Sequence, residues 1–166
     1  LQNTLKTTKT MMKLTESRLQ QMIREEAVLQ EQDGLSEETL EFLRDWMWNQ
    51  QSLRNYQKNG VEAIPNKIVQ ELQQFRPSSK KIVFRIFDNL ESEMQSRQNK
   101  LLSFSPNLGT AKMMWEDKQT VGHPGSYLYQ LEVSPDQVLV DTSTFRQNYD
   151  DIIPEVIVMT DKANIA

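Results

Sequence analysis

The spacing of apolar residues changes period at Pro77-Ser78-Ser79-Lys80, and this limits the fold more than any other feature of the chain. Upstream the period is helical. Leu5, Met12, Leu19 and Ile23 fall on one stripe of a Gln-, Glu- and Lys-rich segment that Asp33-Gly34 stops. Ser36 then reads as an N-cap, with Glu37 and Glu38 in a first turn that the helix dipole favours, opening a helix that runs to Gly60. Leu40, Leu43 and Met47 form one row of it, and Trp46, Leu53 and Tyr56 a neighbouring one. A further helix starts around Pro65, carries Ile64, Ile68, Leu72 and Phe75, and ends before Pro77. Downstream come β-branched and aromatic runs, "KIVFRIF" (81–87), "SYLYQLEV" (126–133), "QVLV" (137–140) and "PEVIVMT" (154–160), with helical stretches "LESEMQSRQN" and "NLGTAKMMWEDK" among them. Helices first and mostly strands afterwards predict an α+β fold rather than regular βαβ winding.

With 166 residues the chain is expected to form one domain, with 1–34 as a helical extension, 35–80 as a helical lead-in and 81–166 as a β-rich core. A formal net charge of -4 and a pI near 5.1, with no basic run interleaved with aromatics, give no signal for nucleic acid. The absence of cysteine excludes disulfides, thiolate zinc sites and cysteine nucleophiles. His123, the single histidine, lies in the turn-like "VGHPGS", a poor place for the base of a Ser-His-Asp triad. No apolar run approaches the ~20 residues of a membrane span and no signal-peptide pattern is visible, so no membrane partner is expected and the expected site of action is a cytosol. The chain begins at Leu1 rather than Met and is therefore expected to be a fragment or a processed product.

Polar residues interrupt three of the apolar runs. Arg85 shares a strand face with Val83 and Phe87, and an arginine there needs an anion, either a nearby carboxylate or a ligand. Glu155 opens "EVIVM", a strand that would pack without it. Ser103 and Ser105 flank Phe104 at the end of the apolar run in "KLLSFSPNLGTAKMMW". Hydroxyls at that place serve either the local backbone or a ligand.

In this order, Arg85 in "IVFR", Ser103-Phe104-Ser105 at a strand end before a helix, and Glu155 in "IIPEVIVM" resemble the Arg–Ser–Glu signature of NAD-dependent mono-ADP-ribosyltransferases of the clostridial and cholera-type toxin group. The resemblance covers Ile82 to the C-terminus and, more loosely, the helices before it. It implies a mixed, mainly antiparallel β core after N-terminal helices, and a toxin-like effector that uses NAD as substrate, without a metal, to modify a protein acceptor. It also implies that Glu155 is the catalytic carboxylate, stabilising positive charge on the ribose as in glycoside cleavage. Arg85 would grip the pyrophosphate through its planar fork. Ser103 would orient ribose or Glu155, and Phe104 and Ser105 would complete the cofactor-binding strand end.

One position departs from the pattern. Arginine-modifying members carry Glu two residues before the catalytic Glu, where this chain has Ile153, and Asp150 and Asp151 are the nearest acids that could substitute. The loop Asp141–Ile153 would recognise the acceptor, through Phe145, Tyr149, Asp151 and Ile153, with the two aromatics exposed as contacts or packed onto the sheet. Glu116–Ser126 matches the flexible loop that closes over NAD, or an ordinary connection. A NAD glycohydrolase, with water as acceptor, and an inactive helical interaction module are the alternative function classes.

Overall fold

A computed structural model describes residues 15–22 and 33–162. The chain divides into two compact units, Leu1–Gly34 and Leu35–Ala166. In the first, residues 15–22 form a helix (α1) on which Leu19 of the predicted stripe is exposed; Leu5, Met12 and Ile23 lie outside the described residues.

The second unit begins with α2 (Glu37–Trp48), α3 (Gln50–Asn59), a 3-10 turn (Gly60–Ala63) and α4 (Asn66–Gln73). Ser36 caps α2 as its sequence predicts, accepting from Thr39 N–H. The single helix expected from Ser36 to Gly60 is instead broken at Asn49. Its backbone is extended and its side chain accepts from Ser52 N–H, so Asn49 caps a new helix rather than continuing the old one. The rows survive the break: Leu40, Leu43 and Trp46 are buried, and Met47, Leu53 and Tyr56 pack beside them. Glu71 of α4 reaches across to α2, accepting from the hydroxyls of Ser36, at 2.7 Å, and of Thr39.

After Lys80 follow β1 (Lys81–Phe87), α5 (Leu90–Ser96), β2 (Leu101–Phe104), α6 (Leu108–Val121), β3 (Tyr127–Val133), β4 (Val138–Asp141) and β5 (Val156–Met159). β1 pairs antiparallel with β3, placing Arg85 opposite Tyr129. The other strands form an antiparallel sheet in the order β2-β5-β4. This α+β arrangement has its three-stranded sheet in the middle, and the strand alternation sorts its side chains into two cores. Leu101, Leu139, Ile157 and Met159 pack against Leu43, Trp46 and Leu72 of the helices. Leu102, Phe104, Val138, Val156 and Val158 pack against Val83, Leu131 and Val133 of the two-stranded sheet. Ser103, between Leu102 and Phe104, therefore faces the helical side. Two backbone hydrogen bonds, Phe84 N–H to Ser105 O at 2.9 Å and Ser105 N–H to Phe84 O at 2.6 Å, join the sheets at one end.

The segment Glu116–Ser126, expected as either a lid or an ordinary connection, is mostly helix. α6 runs on to Val121 and stops at Gly122, whose φ of 126° suits glycine and whose N–H bonds Lys118 O. Trp115 donates from its indole to Ser126 O, closing the short remainder.

Candidate active site

The junction of the two sheets opens into a cleft of about 820 Å³. Arg85, Ser103 and Glu155, separated in sequence by 18 and 52 residues, all line it. Arg85 leaves β1 and donates from Nη1 to the Ser103 carbonyl at 2.6 Å, with its guanidinium carbon 5.5 Å from the centre of the Phe87 ring. Its Nε is buried with no hydrogen-bond partner. A buried polar atom in that state marks a place for an unmet acceptor.

Ser103 Oγ donates to Glu155 Oε2 at 2.9 Å and accepts from the indole N–H of Trp46 at 2.7 Å. The Glu155 backbone is held as firmly: its N–H donates to Thr142 Oγ1 at 2.7 Å and its carbonyl accepts from Thr142 N–H at 2.8 Å. Burial pushes the Glu155 carboxyl above the usual carboxylate range, while hydrogen bonds from Ser103 and Trp46 and the charge of Arg85 act against that rise. Burial likewise lowers the Arg85 guanidinium, and Glu155 opposes the shift.

Two further cations line the cleft, and each has its own acid. Lys81 Nζ is 2.6 Å from Oδ2 of the fully buried Asp141, and Lys118 Nζ is 2.6 Å from Asp88 Oδ1. Asp141 also accepts from Ser143, anchoring the start of the loop that leads to Glu155. Lys81, Asp141 and Thr142 were missed by the strand patterning, because a Lys at a strand start and polar residues after "VLV" look like ordinary strand ends. Trp46 falls in a core row of the helical pattern, and the usable signal there is that a buried indole needs an acceptor.

The other candidates have different surroundings. Ser105 bonds its own turn, Oγ donating to Asn107 O at 3.1 Å, so at Ser105 the local use of a hydroxyl is the one observed. Phe104 borders the cleft but is only 2% exposed and belongs to the core between the sheets. Ile153 lines the cleft and is half exposed. Phe145 and Tyr149 are not exposed contacts: Phe145 stacks edge-on against Phe75 at 4.9 Å and Tyr149 against Phe145 at 5.9 Å, because both rings cover the apolar helical core. Asp151 does not substitute at the cleft either. It pairs with Arg44 Nε at 2.5 Å while its carbonyl takes the Trp48 indole, and neither it nor Asp150 lines the cleft.

Among the described residues no cluster of His, Asp and Glu is placed to hold a metal ion, and no helix is long and apolar enough to cross a membrane. Comparisons with protein-family models, with curated proteins and with solved structures find no match to this chain.

Proposed function

We propose that this protein is a toxin-like NAD-dependent mono-ADP-ribosyltransferase, which cleaves the nicotinamide–ribose bond and transfers ADP-ribose to a protein acceptor. The observation that carries this reading is the meeting of Arg85, Ser103 and Glu155 in one cleft, with the serine hydroxyl bonded to the carboxylate. The helical layer over small antiparallel sheets is compatible with the ADP-ribosyltransferase type of fold.

The residues present fit a dinucleotide. The cleft lies in the size range of ligand pockets, and the unpartnered Arg85 Nε suits a pyrophosphate oxygen. NAD, when bound, supplies the labile glycosidic bond. Arg85 would fix the pyrophosphate and Ser103 would keep Glu155 in place. Glu155, ionised, would stabilise the positive charge that grows on the ribose as the bond breaks, an interaction stronger in the transition state than in the ground state.

The test is incubation with labelled NAD and cell lysate, followed by identification of the labelled product. Glu155→Gln keeps the shape and removes the charge, so transfer should fall by about 100-fold or more while NAD affinity stays within a few-fold. Unchanged turnover in that variant would overturn the assignment. The aliphatic Ile153 at the cleft favours a second reading, a NAD glycohydrolase, because it cannot activate a charged acceptor. Free ADP-ribose without labelled protein would select that reading.

A further inference from the structure

Trp46 stands apart from every other core residue of α2, because its ring is 1% exposed and its one polar atom points into the reacting group's hydrogen-bond chain rather than at backbone. An indole N–H can only donate. Ser103 Oγ, 2.7 Å away, must therefore accept from it. A hydroxyl has a single proton, and the acceptor 2.9 Å away on the other side is Glu155 Oε2. We propose that Trp46 is a positioning residue, whose indole fixes the Ser103 hydroxyl so that its O–H is aimed at Glu155 as a hydrogen-bond donor and the carboxylate is held in place at the cleft. If Glu155 took up a proton, the Ser103 hydroxyl would lose the charged acceptor that its proton now serves.

Burial is the largest influence on the Glu155 carboxyl and raises it; the hydrogen bond from Ser103, and the indole N–H of Trp46 acting on the carboxylate itself, oppose that rise. The charged groups that face Glu155 are otherwise few. Arg85 approaches from β1; Lys81, on the same strand, is held by Asp141 of β4; Lys118 of α6 is held by Asp88. From the helical side the contact is Trp46 itself. The lead-in helix is thereby part of the site's electrostatics, although its own chemistry is that of a core residue.

The effect on rate rests on the reading of Glu155 as the reacting carboxylate, whereas the chain itself can be tested without turnover. In the full-length protein with carbon-13-labelled glutamate, nuclear magnetic resonance should show the Glu155 carboxyl and the Trp46 indole N–H titrating with one midpoint. Ser103→Ala should abolish the response of the indole. Trp46→Phe, which keeps an aromatic ring in the core, should move the Glu155 midpoint upward and lower kcat on NAD about 10-fold with KM changed less than about twofold, as loss of a supporting hydrogen bond does elsewhere. An indole that ignores the Glu155 titration in the wild type overturns the proposal even if the Phe variant fails to fold. An unmoved Glu155 midpoint in a folded Trp46→Phe protein overturns it equally. Shared titration in a protein that never consumes NAD would sustain the relay and overturn the transferase reading.

Discussion

Glu155 is subject to opposing demands, since burial favours its neutral form and the proposed chemistry needs its charge. Arg85 has the mirror-image problem, and each charge opposes the shift that burial imposes on the other. The guanidinium stays charged at any working pH, but its planar fork matters as much as its charge. Arg85→Lys should therefore weaken NAD binding by about 10-fold or more, because a lysine lacks the planar fork that can hold the Ser103 carbonyl and grip phosphate through two donors at once. Calorimetry that returned wild-type affinity would remove the pyrophosphate assignment. Arg85, Ser103 and Glu155 could be found in the sequence because each interrupts an apolar run. Trp46 and Thr142 do not stand out in that way: at helical spacing a tryptophan looks like any core residue, and a threonine after a strand looks like a turn.

At the level of elements, the helices are joined by a polar tie rather than by packing alone. Desolvation raises the Glu71 carboxyl, but hydrogen bonds from Thr39 and Ser36 outweigh it, so its net shift is downward. A carboxyl depressed in the folded state contributes stability above its unfolded value, and that contribution is lost as pH falls through the folded one. Glu71→Gln should accordingly lower the melting temperature at pH 7, and the gap to wild type should narrow as the pH is taken below the ordinary carboxylate range. A gap independent of pH, in parallel thermal melts, would assign Glu71 a purely steric role. The strands were readable to within a residue or two, as with Lys81–Phe87, because alternation of β-branched and aromatic residues is a strong local signal. The break at Asn49 was not, since it depends on one side chain choosing to cap rather than to continue a helix.

For the whole molecule, the α+β class followed from the order of periods, whereas the sheet order β2-β5-β4 did not, because pairing between distant strands is set by packing rather than by local pattern. The cleft exists only where those sheets meet, and its mouth carries Ile153 with Asp151 tied away to Arg44. Besides Glu155, no carboxylate among the described residues lines the cleft to take the proton of a guanidinium acceptor. Agmatine should thus be a poor acceptor for the wild type, and efficient modification that vanishes in Asp150→Asn or Asp151→Asn would refute the Ile153 argument. The paired bonds between Phe84 and Ser105 lie one residue from Arg85 on β1 and two residues from Ser103 past the end of β2. Opening of the cleft at its base has to break both bonds at once, so their amide hydrogens act as a built-in gauge of the join. In deuterium exchange the two amides should lose protection together, and saturating NAD should slow both by a common factor, since a ligand held from both sheets stabilises only the closed join. Independent exchange of the two would mean that the sheets part elsewhere, and that the site can come apart without the molecule unfolding.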